Sequence, residues 1–140
     1  MNALVPSKMV LSIFDKEYHH RFVVSQPVYD AFQQCSGDYN PLHTQLAFAK
    51  SKGFPECVMY GNILNGFVSY FIGMLLPTPE VIIHSQDIVF KNPVFLNDEL
   101  DFNAKVEELS EAVNTVIFKY TFRNGGGKIV AKGHVQIGVI

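Results

Sequence analysis

Asp38 and His43 are the two side chains of this chain best suited, by type and spacing, to move protons. They lie in the run Gly37-Asp38-Tyr39-Asn40-Pro41-Leu42-His43, around a turn that proline makes rigid. A carboxylate can hold or accept a proton and an imidazole exchanges one near neutral pH, so a fixed pair of the two is a proton-transfer device in outline. Gly, Asp, Asn and Pro also make turns for conformational reasons alone. On that reading Asp38 caps backbone and His43 is a hydrogen-bonded core residue. A turn has no need of an imidazole straight after a buried-type leucine, and that tips the reading toward chemistry.

The other histidines are less promising. His19, His20, His84 and His134 have no spacing that gathers metal ligands on one face, and the adjacent pair should point to opposite faces of a strand, so no metal site is expected. Asn62 and Asn65 read as polar groups at the start of a helix, and Tyr29, Phe32 and Phe48 as core. The tract Arg123-Asn124-Gly125-Gly126-Gly127-Lys128 lies between two strand patterns, and no helix signal follows it. It therefore reads as a hairpin connection rather than a phosphate cradle.

The elements that must hold Asp38 and His43 follow from the apolar pattern. Tyr18 to Val24 reads as a short strand. Ser25 then offers an N-cap and Pro27 a first-turn proline for a helix carrying Val28, Tyr29 and Phe32 and ending at Gly37. Leu46 to Ala49 suggest a second short helix, broken at Gly53-Phe54-Pro55. From Gly61, Leu64, Phe67, Val68, Phe71 and Leu75 recur at helical spacing, which predicts one long central helix ended by Pro77 and Pro79. Beyond it Leu100 to Val106, Val116 to Phe122 and Ile129 to Val139 alternate as strands. The plan is α+β: a greasy central helix with an antiparallel sheet curled round it, whose edges invite pairing with a second copy.

With 140 residues the chain is expected to form one domain, residues 1–140. It is 48% hydrophobic and 17% charged, with a net charge of −2 spread over 11 basic and 13 acidic residues. No basic stripe exists to neutralise a phosphate backbone, so nucleic acid is not expected as a partner. The excess apolar surface is expected in a dimer interface or a ligand channel. Cys35 and Cys57 lack CxxC spacing; each reads as a free thiol suited to the core of a reduced, cytoplasmic protein. Met1 to Phe14 lack a positive head followed by an apolar run, so no secretory signal is expected. Ile63 to Leu76 is interrupted by Asn65, Gly66, Ser69 and Gly73 and falls short of the ~18–20 residues that span a bilayer, so no membrane association is expected.

The run Ser36-Gly37-Asp38-Tyr39-Asn40-Pro41-Leu42-His43, followed by Phe48-Ala49, resembles the hydratase motif of MaoC-like (R)-specific enoyl-CoA hydratases. Tyr60-Gly61 stands where that family has a His-Gly step. Phe90, Pro93, Val94, Asp98 and Leu100 are similar to its Phe-x-x-Pro-Val and later Asp-x-Leu pattern. The resemblance runs from about Tyr18 to the C-terminus. It implies a hot-dog fold, a homodimer, no cofactor, and reversible syn addition of water to trans-2-enoyl thioesters of coenzyme A or acyl carrier protein. It makes Asp38 and His43 the catalytic pair that holds the water. The Gly61 amide, at the expected start of the central helix, becomes the donor for charge developing on the thioester oxygen. Asn40 would orient the turn or the water, and Ser69 would support the pair by hydrogen bonding.

The family usually has His before the glycine and a small or methionine residue after it, where this chain has Tyr60 and Asn62; Tyr60 can donate a hydrogen bond but carries no positive charge. Two other functions compete. A non-catalytic hot-dog module, binding acyl thioesters or pairing with a catalytic subunit, accommodates Tyr60 but leaves Asp38 and His43 without a task. A hot-dog thioesterase needs a carboxylate on the central helix, and Gly61 to Leu76 contains no Asp or Glu.

Overall fold

A computed structural model describes residues 11–140; Met1 to Val10, most of the segment in which no secretory signal is expected, lie outside the described residues. A short 3₁₀ turn, Leu11–Ile13, leads into strand β1 (Glu17–Val23). Helix α1 follows over Gln26–Ser36. The Ser25 hydroxyl accepts from the Val28 N–H at its start, and Gly37 ends it in the left-handed region at φ +68°, donating its own N–H to the Gln33 carbonyl. Both signals were legible in the sequence, and both work by satisfying backbone groups that a helix end leaves without partners.

The turn after Gly37 holds more helix than its sequence suggests. Pro41–Thr44 form a single helical turn, α2, and Leu46–Ser51 form α3. The expected long central helix is α4 over Ile63–Tyr70, which widens into a π-helical turn over Phe71–Leu75 before Pro77. Phe71 and Ile72, in the wider turn, are both buried in the core.

Strands β2 (Val81–Phe90), β3 (Glu99–Ser110), β4 (Thr115–Arg123) and β5 (Ile129–Val139) complete the chain. All pairings are antiparallel, in the order β1-β3-β4-β5-β2, so the two strands flanking the helical segment form the two edges. The alternation in β3, β4 and β5 is borne out: Leu100, Phe102 and Ala104, then Val116, Phe118, Tyr120 and Phe122, then Val135 and Ile137, all face the core. Gly127, at φ +79°, turns the β4–β5 connection as expected of the glycine tract. β2 is not predicted by alternation. It is an edge strand, exposed over most of its length, with a register shift between Ile83 and Ser85.

The apolar side of α4 lies on the inner face of the sheet. Phe67 stacks on Phe22 of β1 with ring centroids 4.4 Å apart, and Phe71 meets Phe102 and Phe118, each at 5.1 Å. Each fully buried ring contributes roughly 1.5–3 kcal/mol by area. This sheet wrapped on a central helix is the hot-dog fold, α+β in class. Cys35 is exposed on α1 rather than a core thiol, Cys57 is half-buried, and both are free. Among the described residues no helix is long and apolar enough to cross a membrane.

Candidate active site

The site is built where the helical segment folds back on itself. Cys57 to Tyr60 run in extended form between α2 and the turn before β3. The Val58 N–H donates to the Leu42 carbonyl at 3.1 Å and the Met59 N–H to the Val94 carbonyl at 2.8 Å. The Val58 carbonyl meets His43 Nδ1 at 2.6 Å. A carbonyl only accepts, so Nδ1 carries the hydrogen and the neutral ring keeps its lone pair on Nε2. That Nε2 lies 3.9 Å from Asp38 Oδ2, beyond hydrogen-bond length but converging with it. The His43 side chain is 17% exposed and that of Asp38 45%.

Asp38 is held from its other oxygen, Oδ1, which accepts the Asn40 N–H at 2.9 Å. The Asn40 side chain in turn accepts the Leu42 N–H at 2.9 Å and caps α2, so Asn40 orients the turn. Beside His43 opens a cavity of about 340 Å³, largely apolar, whose walls include Val58, Met59, Gly61, Leu64, Phe90 and Val94. Asp38, His43, Asn40 and Gly61 are thus brought together. Gly61 differs from expectation in one respect: it lies in a turn two residues ahead of α4, with its carbonyl accepting the Leu64 N–H at 3.0 Å. Among the described residues its own N–H has no acceptor. A side chain there would crowd the Phe90 ring, because a Cβ on Gly61 would stand 3.0 Å from it and the ring would have to give way.

Ser69 is not brought to the pair. It is exposed two helical turns beyond Gly61 and does not line the cavity. Asn65 donates to Asn62 at 2.8 Å and accepts from Gln86 of β2, so these two tie the helix start to the sheet edge. Sequence reasoning missed the groups behind the pair. Tyr29, read as core, is only half-buried; its hydroxyl donates to the His43 carbonyl at 2.8 Å. Tyr60 is 3% exposed, donates to the Asp38 carbonyl, and lays its ring 4.2 Å from the His43 ring. Gln33 donates to both tyrosine oxygens, at 3.1 and 3.2 Å. Burial pushes the Tyr29 phenol above its ordinary value, with Tyr60 adding in the same direction. Among the described residues no cluster of His, Cys, Asp or Glu is arranged to hold a metal ion.

The hot-dog sheet carries an aspartate–histidine pair whose histidine lines an apolar cavity, and comparison with known proteins shows the family. The MaoC like domain model matches residues 15–124, and the chain belongs to that family. It is 31% identical over 107 residues to an (R)-specific enoyl-CoA hydratase of Aeromonas caviae, covering 76% of this chain and 80% of the relative. A mitochondrial 3-hydroxyacyl-[acyl-carrier-protein] dehydratase of Arabidopsis thaliana is 27% identical over 132 residues, covering 92% and 78%. Among solved structures, the (R)-hydratase from A. caviae involved in PHA biosynthesis superposes with a TM-score of 0.83 at 26% identity, covering 91% of this chain and 96% of that one.

Proposed function

We propose that this protein is a hydro-lyase that adds water reversibly to trans-2-enoyl thioesters, of coenzyme A or acyl carrier protein, to give (3R)-3-hydroxyacyl thioesters. The observation that carries the reading is the arrangement of His43: one ring nitrogen tied to a backbone carbonyl, the other left with a lone pair beside the Asp38 carboxylate at the wall of an apolar cavity. Relatives named as a hydratase and as a dehydratase support it.

In the forward direction a water bonds to Asp38 Oδ2 through one hydrogen and to His43 Nε2 through the other. His43 takes its proton as the water oxygen bonds to C3. The C2–C3 π electrons shift toward the thioester carbonyl, whose oxygen gains negative charge beside the Gly61 N–H. Protonated His43 then returns the proton to C2 on the same face, so addition is syn and the dyad ends as it began. Dehydration is the reverse. The protein is further taken to work as a homodimer of one domain per chain, a reading supported by the exposed β2 edge with Ile82, Ile83 and Val89 on it.

Loss of enoyl absorbance with trans-2-enoyl-CoA substrates of short and medium chain, with the handedness of the product determined, tests this. Turnover to the (3R) product, at least about 10²-fold lower in Asp38→Asn, is the expected result. No turnover with any chain length on either carrier overturns it in favour of the binding module.

A further inference from the structure

Both residues of the dyad are held from behind by one hydrogen-bonded unit. The Tyr60 hydroxyl donates to the Asp38 carbonyl, and the Tyr29 hydroxyl donates to the His43 carbonyl at 2.8 Å. A single side chain, Gln33, joins them, its amide nitrogen lying 3.2 Å from the Tyr60 oxygen and 3.1 Å from that of Tyr29. Each phenol therefore donates once and accepts once, which uses its hydrogen and orients it. The Tyr60 ring also lies against the His43 imidazole, centroids 4.2 Å apart and planes inclined by 34°, and is backed by Phe32 at 5.0 Å and Tyr29 at 5.5 Å.

We propose that Tyr29, Gln33 and Tyr60 form a clamp that sets the separation and orientation of Asp38 and His43, with Tyr60 as its central positioning residue. The proposal rests on the hydration chemistry proposed above for what the clamp accomplishes, but not for its existence. His43 lies within the one-turn helix α2 and Asp38 three residues ahead of it, and a helix of four residues is too short to be rigid by itself. What fixes their spacing has to come from outside it. Two backbone carbonyls, one beside each catalytic side chain, tied through phenols to one amide on the longer helix α1, supply that rigidity. The Val58 carbonyl fixes only the imidazole, while Asn40 links the two residues locally, donating its N–H to the Asp38 carboxylate and accepting the His43 N–H on its carbonyl at 2.9 Å. The clamp relates one to the other from outside the turn, through a different helix. Tyr60 touches neither water nor acyl chain in this scheme; it does not line the cavity.

The test compares the wild type with Tyr60→Phe, Tyr29→Phe and the double variant in the hydratase assay, with melting curves and the NMR signal of the His43 Nδ1–H assigned by its loss in His43→Ala. Tyr60→Phe keeps the stacked ring and removes only the hydroxyl. The expected result is a fall in kcat of about 10-fold to 100-fold with KM within about twofold, as for a small misplacement of reacting groups. Because the two phenols act as one unit, the double variant should lose little more than Tyr60→Phe alone. The His43 ring N–H should exchange with solvent at least about tenfold faster in Tyr60→Phe than in the wild type, as hydrogen-bonded groups in loosened segments do. That signal is independent of turnover, so a wild type inactive on every enoyl thioester defeats the proposed reaction and still leaves the clamp to be judged. A Tyr60→Phe protein with wild-type kcat, or with an unchanged His43 signal, overturns the clamp, as do strictly additive losses in the double variant. Should Tyr60→Phe fail to fold, Gln33→Leu removes the joining amide and is read by the same two measurements.

Discussion

Asp38 with His43, and Asp87 with His134, are two aspartate–histidine pairs in one sheet-and-helix protein, and they share more than composition. In each, the aspartate's backbone carbonyl accepts a hydrogen bond from a buried tyrosine: Tyr60 at Asp38, and Tyr120 at Asp87 at 2.6 Å. The second pair is the tighter, with His134 Nδ1 3.3 Å from Asp87 Oδ1 against 3.9 Å at His43. His134 also has Glu107 Oε2 3.3 Å from its other nitrogen, and its side chain is 41% exposed on the outer face of the sheet. With Asp38 and His43 as the proposed reactive pair, closeness of opposite charges is not what marks it. Both nitrogens of His134 face carboxylates, so both are engaged within the outer cluster. His43 gives one nitrogen to a neutral carbonyl and keeps the other free beside an apolar cavity. The difference lies in what each ring has left to offer.

The most direct way to break this comparison is to remove one histidine at a time. His43→Ala and Asp38→Asn should each lower enoyl-thioester hydration by about 10²–10⁴-fold, the range of positioned acid–base catalysis. His134→Ala should leave kcat and KM within about twofold, since nothing it touches reaches the cavity. Equal losses in His43→Ala and His134→Ala would erase the distinction drawn here.

A second test sharpens the cavity side of the contrast. Gly61→Ala would set a methyl 3.0 Å from the Phe90 ring and push ring or turn apart, so kcat should fall by up to about 10²–10³-fold, the cost of losing one oxyanion donor. Gly61→Ala combined with Phe90→Leu should recover part of that loss if crowding is the cause, with melting curves confirming the fold. A double variant no better than Gly61→Ala would remove Phe90 from the account.

The tyrosines behind the two pairs differ in a way that pH can reach. Burial pushes the Tyr120 phenol up to about 12, with the Asp87 charge acting in the same direction. The folded protein then keeps a proton that the unfolded chain gives up near the ordinary phenol value of about 10. The stabilisation is full below pH 10 and is lost as pH rises toward 12, by roughly 2–3 kcal/mol for a shift of that size. Tyr18 and Tyr29, also raised by burial, add in the same sense. Urea unfolding at stepped alkaline pH should show the decline, and Tyr120→Phe should flatten it. A Tyr120→Phe protein declining as steeply as the wild type would refute the assignment.

How much of this was legible in the chain follows the range of each interaction. Ser25, Pro27 and Gly37 bound α1 because capping is local, and β3, β4 and β5 declare themselves because one face of each is buried. β2 stays hidden: as an exposed edge strand with a bulge near His84 it has no buried face to alternate against. The Asp38–His43 spacing is local and readable. The Val58 carbonyl is not, because a backbone acceptor fifteen residues from His43 has no side-chain signature. Tyr60 stands out by type, yet the hydroxyl's partner and the joining amide of Gln33 emerge only when α1 folds against the segment before α4. Ser69 shows the converse. Motif position alone suggests a supporting role, while on α4 it is exposed and does not line the cavity.

The smallest effect is expected where the shorter contact lies. Removing the Asp87 charge by Asp87→Asn, or the imidazole by His134→Ala, breaks an ion pair whose members are 65% and 41% exposed. Exposed pairs contribute about 0–1 kcal/mol, because water screens the charges and two side chains must be held in one geometry. The Asp87 carbonyl keeps its bond from Tyr120 in either variant, and the β2–β5 ladder keeps its register through Asp87 and His134 backbone pairing. Melting curves of both variants should therefore lie within a few degrees of the wild type, with hydration unchanged. A large drop in stability would mean that the outer cluster with Glu107 fastens the β2 edge to the sheet; the functional contrast between the two pairs would then become one between catalysis and edge stability.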